Sequence, residues 1–204
     1  MKTAIIQVLI IDESGSMRGM ESFVNETYHG FVVNTQEAIK EAPEIDQYLS
    51  VWTFEGGNII NRLTFGKVET KDVPLQLPYR PAGATPLFDA IGKVVSSTER
   101  SIEQTAEVLE ATVQVNIISD GYENSSVEFS ARIIADLIKT KEKGNWEFHY
   151  FGTDHDVYAV AESLNIVESR TARFSKNHNG FQHISRSISV NLNDVVAKIT
   201  KPKS

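Results

Sequence analysis

The chain of 204 residues contains no cysteine, which excludes disulfides and thiolate metal sites and fits a reducing compartment. No apolar run approaches the length of a transmembrane helix. The run behind Lys2 has the look of a short signal sequence, but it ends in Asp12-Glu13 rather than a small-residue cleavage site and is too short to cross a bilayer. It reads as a strand, and the cytoplasm is the expected location. An excess of basic charge is lacking too. Twenty Lys and Arg against 27 Asp and Glu leave a net charge of −7, the wrong sign for a general nucleic-acid binder. Three catalytic signatures are missing: the G-x-x-x-x-G-K-[ST] phosphate loop, H-E-x-x-H, and a G-x-S-x-G elbow around Ser14 or Ser16. No internal repeat or low-complexity segment is visible. What remains is an ordinary soluble composition, 41% hydrophobic and 23% charged, with material for one sizeable core. A single domain over residues 1–200 is expected, with 201–204 as a basic tail.

The most informative stretch is Ile5–Met17, IIQVLIIDESGSM. Its unbroken Val, Ile and Leu mark a strand covered on both faces, as in the centre of a parallel sheet. Apolar residues then recur at helical spacing over Met20–Ala42, which Pro43 ends. Tyr48–Glu55 and Ile59–Phe65 read as strands joined by a Gly56-Gly57-Asn58 turn, hence an antiparallel hairpin at the sheet edge. Residues 66–83, with three prolines, read as loop. Thr85-Pro86 is expected to cap and open a helix whose buried stripe runs from Leu87 to Leu109. Thr112–Ser119 is a second strand of central type and leads straight into Asp120-Gly121. Ser125 and Glu128 have capping-box spacing and predict a helix to about Lys143. A strand at Trp146–Phe151, a short helix at Asp156–Leu164, a strand at Ser169–Phe174 and a helix from Phe181 complete the chain. Strands alternating with helices predict an α/β fold, a Rossmann-like doubly wound, mostly parallel sheet with one antiparallel edge strand and helices on both faces.

Asp12, Ser14 and Ser16 occupy alternate positions around Gly15, so a curled loop can turn all three oxygens to one point. Hard oxygen donors of this kind suit a divalent ion, with Mg²⁺ preferred for a small octahedral site. Asp120 ends the other central strand, and Thr85 follows a loop long enough to reach the same carboxyl edge, where ligands bind in this architecture. The bland reading of these residues is loop and cap chemistry.

Asp12-x-Ser14-x-Ser16, then Thr85 in GATP, then Asp120 in SDG resemble the metal-ion-dependent adhesion site of von Willebrand factor type A (VWA) domains, in order and spacing, over essentially the whole chain. SDGYENSSVEF and FGTDHDVYAVAESLNI further resemble stand-alone bacterial and phage members. The resemblance implies a non-enzymatic module. Its Mg²⁺ (alternatively Mn²⁺ or Ca²⁺) would be held by Asp12, Ser14, Ser16, Thr85 and Asp120 and would accept an Asp or Glu side chain from a partner protein. Glu13, Tyr122, Glu123 and Asn124 flank those positions and are expected to form the recognition rim. Nucleic acid and membrane are not expected partners. Two alternatives stay open: a metal-dependent phosphohydrolase, which would want an added general base, and a structural subunit whose site holds no ion. His155 could reach the same edge. His178 and His183 read as structural or solvated, and Trp52 and Trp146 as core.

Overall fold

The computed structural model describes residues 3–68, 73–105, 110–153 and 157–200. His155, the expected helix end at Leu109 and the 201–204 tail lie outside them. The first strand, β1 (Thr3–Asp12), is buried at every position from Ala4 to Asp12. Around it run α1 (Glu21–Glu41), β2 (Asp46–Glu55), β3 (Asn58–Lys67), α2 (Leu87–Gln104), β4 (Glu110–Ser119), α3 (Ala131–Lys141), β5 (Trp146–Gly152), α4 (Val157–Ser163), β6 (Thr171–Arg173) and α5 (His178–Thr200). The strands form one sheet in the order β3-β2-β1-β4-β5-β6, with β3 antiparallel on the edge and the others parallel.

Alternation along β1 divides the core. Ala4, Ile6, Val8 and Ile10 face α2, α3 and α4, where they meet Leu87, Ile91, Ile134, Ile138 and Val157. Leu9 and Ile11 face α1 and α5 with Tyr28, Phe31, Phe181 and Ile184, and Ile5 joins Ala38 and Leu192 further along the same face. Each fully buried side chain of this size contributes roughly 1.5–3 kcal/mol, so the central strand anchors both layers. Trp52 and Trp146 are only partly buried against the first of these cores, less than their expected core placement.

Between the apolar groups of the α1/α5 face lies a polar band. Gln7 and Gln114 are register partners on β1 and β4, and the Gln7 amide donates to Gln114 at 2.5 Å. Gln114 in turn donates to Glu147 on β5 at 3.1 Å and to the Asn191 carbonyl of α5 at 3.0 Å. Glu147 is also ion-paired with Lys198 at 3.4 Å and with Arg170 at 3.7 Å. The His149 ring foremost, then Gln114, Lys198 and Arg170, hold the Glu147 carboxyl at about 2 against the opposing effect of burial, below its ordinary 4.5. A depressed carboxyl stabilises the fold above its unfolded value and loses that contribution as the proton returns. Glu147→Gln is therefore expected to lower Tm near neutrality, with the gap to wild type closing as pH falls from 4.5 towards about 2. Thermal melts of both proteins across that range measure it; a gap that is constant with pH would contradict the assignment.

Candidate metal centre

β1 and β4 are neighbours, and the sheet grows away from them in opposite directions, so the crevice beyond their carboxyl ends is its switch point. Asp12 closes β1, and Asp120 follows the last residue of β4. Asp12 continues the face of Val8 and Ile10, Ser119 that of Val115 and Ile117, and the two meet: the Ser119 hydroxyl donates to Asp12 Oδ2 at 2.6 Å. Ser14 N donates to Asp12 Oδ1 at 2.8 Å. A 3₁₀ turn over Gly15–Met17, pinned by the fully buried Met17, curls the chain so that Ser14 Oγ and Ser16 Oγ lie 3.0 Å apart. Ser16 Oγ then donates to Asp120 Oδ1 at 2.7 Å. Asp12 and Ser14 are buried while Ser16 is exposed, so the cluster opens to solvent on one side.

Thr85 is buried on the loop before α2, and Asn124 grips its backbone twice, accepting from Thr85 N at 2.9 Å and donating to Thr85 O at 3.2 Å. A Cβ added to Gly121 would stand 3.4 Å from Thr85 Oγ1 and 3.6 Å from Ser16 Oγ, which places both hydroxyls against the same glycine. All five residues are thus brought to one crevice. Thr85 does not cap the helix as expected: α2 begins at Leu87, with Pro86 at the cap position. The free amides of its first turn are met from outside, Phe88 N by Glu123 and Asp89 N by Ser126, each at 3.0 Å.

Burial pushes the Asp12 carboxyl up to about 6; the hydrogen bonds from Ser119 and Ser14 oppose this, and the charge of Asp120 adds to it. Asp120 Oδ2 is buried and accepts no conventional hydrogen bond among the described residues; its partner is the Lys176 ammonium, in ion-pair contact. Among the described residues there is no group of three or more Asp, Glu, His or Cys side chains that could hold an ion. Two carboxylates and three hydroxyls are a different kind of donor set, oxygen-only and hard. It fits Mg²⁺ on chemistry, and an ammonium already sits on one of its carboxylates.

The expected rim is mostly turned inward. Glu13 is 1% exposed, ion-paired with Arg62 at 2.6 Å and accepting from the Arg80 amide. Glu123 accepts from Ser125 N at 2.8 Å, Ser126 N at 2.7 Å and the Ser126 hydroxyl at 2.7 Å besides Phe88 N. Both acids organise loops instead of facing a partner, because a loop rich in free N–H groups captures the nearest carboxylate. Asn124 is exposed but engaged with Thr85, and Tyr122 is 58% exposed. Exposed Val127 stands on the same loop.

Asp89, Ser119 and Thr153 are supporting residues that sequence patterning missed. Thr153 donates to the Asp120 carbonyl at 2.9 Å. Asp89, in the first turn of α2 and 4% exposed, accepts from Val127 N, Glu128 N and Phe129 N at 2.9, 3.0 and 2.8 Å. Burial raises its carboxyl, but these three amides, with Lys93, lower it further. That capture also explains why α3 starts at Ala131 under a Ser130 cap and not at the Ser125/Glu128 box. The only sequence signal for Asp89 was an acid in the first helical turn, a placement the helix dipole alone would favour.

The fold of this crevice has solved counterparts. No family model matches the sequence, and no curated protein matches it. Among solved structures, the SpRpn10 VWA domain superimposes with a TM-score of 0.58 at 12% identity, over 89% of this chain and 94% of that one. The fold is that of a VWA domain. The pilus adhesin SpaC from Lactobacillus rhamnosus GG gives 0.68 at 12% identity, over 95% of this chain and 31% of SpaC. Proximal thread matrix protein 1 from the mussel byssus gives 0.61 at 11% identity, over 93% of this chain and 46% of that protein. The VWA unit thus spans less than half of these two longer chains, and at such identities the likeness is one of fold.

Two substitutions test how the VWA crevice is built. Asp89→Ala removes three charge-assisted hydrogen bonds and is expected to cost about 2 kcal/mol, the amides regaining water on an exposed loop. Gly83 has φ of +67°, its carbonyl accepts from Gly15 N at 3.1 Å, and an added Cβ would lie 2.5 Å from Glu55 Oε2 and 3.0 Å from Gly56 N. Gly83→Ala is expected to cost about 1–3 kcal/mol. Urea unfolding of both variants checks these losses; a change under ~0.5 kcal/mol, the size of an ordinary surface substitution, would contradict them.

Proposed function

We propose that this chain is a divalent-metal-dependent protein-binding module, not an enzyme, acting in the cytoplasm. The observation that carries this reading is the convergence of Asp12, Ser14, Ser16, Thr85 and Asp120 on one crevice at the carboxyl edge of the sheet. Asp12, Ser14 and Ser16 are delivered by β1 and the turn after it, Asp120 by β4, and Thr85 by the loop that Asn124 and Glu123 hold in place. These residues would hold Mg²⁺, with Mn²⁺ or Ca²⁺ as substitutes. Bound there, the ion supplies a positive coordination position for one more anionic oxygen, because hydroxyl donors neutralise it less than carboxylates would. The fitting partner is a protein presenting an Asp or Glu side chain. Adhesin and VWA-domain neighbours agree with a binding role in general terms. Among the described residues no helix is long and apolar enough to cross a membrane.

The rim chemistry refines the reading. With Glu13 and Glu123 satisfied internally and Asp120 paired with Lys176, the approach to the crevice is far less acidic than the sequence alone implies. An acidic partner therefore meets exposed Tyr122 and Asn124 rather than a wall of carboxylates.

Titration calorimetry with MgCl₂ and MnCl₂ tests the ion directly. One ion per chain is expected for wild type, none for Asp12→Ala or Asp120→Ala. At a hundredfold excess over Kd the ion should stabilise wild type by about 2.7 kcal/mol. A wild-type protein that shows neither heat nor a Tm shift would sink the reading. Partner capture from the native host should then be lost in EDTA and in Asp12→Ala alike.

A further inference from the structure

Lys176 belongs to none of the sequence motifs, yet its ammonium contacts the buried Asp120 Oδ2 and lies 3.5 Å from the Ser16 carbonyl. It therefore bridges two of the five residues assigned to the ion. Asp120 Oδ2 has no other partner among the described residues, and its side chain is fully buried. An unpaired carboxylate so placed would be strongly unfavourable, the more so with Asp12 in the same crevice. The ammonium removes that cost in the absence of any ion.

The lysine is held at this spot by the chain on both sides. Phe174, two residues earlier, is buried, packs edge-on to Phe181 at 5.1 Å and donates from its amide to the Gly152 carbonyl at 2.9 Å. Asn177, the next residue, accepts from Gly180 N at 3.0 Å at the start of α5. Gly180 has no Cβ for a physical reason: one would fall 2.0 Å from the Ser175 carbonyl oxygen. The segment before α5 is thus folded back tightly, with Lys176 carried towards the crevice.

We propose that Lys176 is the built-in counter-ion of this cluster and that its ammonium and a divalent ion compete for Asp120. The proposal rests on the reading that the cluster takes such an ion. A cation bound by Asp120 and Ser16 would stand beside the ammonium, and like charges on one carboxylate repel. Ion binding then displaces Lys176 into solvent, where its side chain is already 36% exposed. Lys176 sets the affinity of the site and keeps the ion-free fold intact.

The test is Mg²⁺ and Mn²⁺ titration of wild type, Lys176→Met, Lys176→Gln and Lys176→Arg, with Tm measured in EDTA and in saturating Mg²⁺. The uncharged variants are expected to bind Mg²⁺ about tenfold more tightly, to melt below wild type in EDTA, and to recover in Mg²⁺. Lys176→Arg should stay within about threefold of wild type, since it keeps the charge. Opposite signs in affinity and ion-free stability distinguish competition from a merely structural lysine, which would lower both. If wild type binds the ion and the uncharged variants bind it equally or less tightly, the proposal fails while the metal-binding reading stands. Should only the uncharged variants bind, competition at Asp120 is supported while the proposed metal-dependent function of the wild-type chain falls. If no variant binds a divalent ion, both ideas fall together.

Discussion

The structure depends on a carboxylate buried where a core strand ends. Asp12 follows eight buried residues of β1 and is itself inaccessible, so its charge faces a desolvation cost that the apolar layers cannot relieve. Two things offset it in place: the hydroxyl of Ser119 on the adjoining strand and the amide of Ser14 on the following turn. Each fixes local geometry. Ser119 ties the ends of β1 and β4 together, Ser14 forces the turn that swings Ser16 towards Asp120, and that turn needs the backing of the Gly83 loop.

The surrounding loops follow the same logic with different acids. Glu13, Asp89 and Glu123 each collect backbone amides from a loop with no ladder to pair with, and none is left facing solvent as a bare charge. Glu13 gathers the 79–84 segment, helped by Ala82 N donating to its carbonyl at 2.8 Å and by Tyr79 bonding the Asp12 carbonyl. Glu123 and Asp89 fold the loop after β4 onto the first turn of α2, which places Thr85. Acids outside the donor set therefore build the crevice that the donor set occupies.

This division decides what was legible in the sequence. The strands and helices could be read because their apolar periods report burial directly, and the mostly parallel sheet followed from the alternation of β and α, whereas the strand order did not. Asp12, Ser14, Ser16, Thr85 and Asp120 could be placed near one another because each follows or precedes an element with a definite period. The rim could not be read. Glu13 and Glu123 look like surface acids in a string of letters, and only the fold brings Arg62 beside one and four N–H or O–H donors around the other. The start of α3 failed for a related reason, since Ser125 and Glu128 satisfy a local capping rule while Asp89, nearly forty residues earlier, claims the same amides. Lys176 was invisible because nothing local marks a lysine that reaches across 56 residues of sequence to a buried acid.

The hydroxyls give the cluster a direction. Ser16 spends its proton on Asp120, so the 3.0 Å contact between the serines is donated by Ser14. Ser119 likewise spends its proton on Asp12. The Ser16 and Ser119 protons thus point inward at the carboxylates. A crevice polarised in this way repels an approaching anion and attracts a cation before any rearrangement occurs. The ammonium of Lys176 resting on Asp120 is the response of the chain itself to that polarity. Under the proposed function, an acidic partner would gain its hold in this crevice only once a second positive charge had joined that of Lys176.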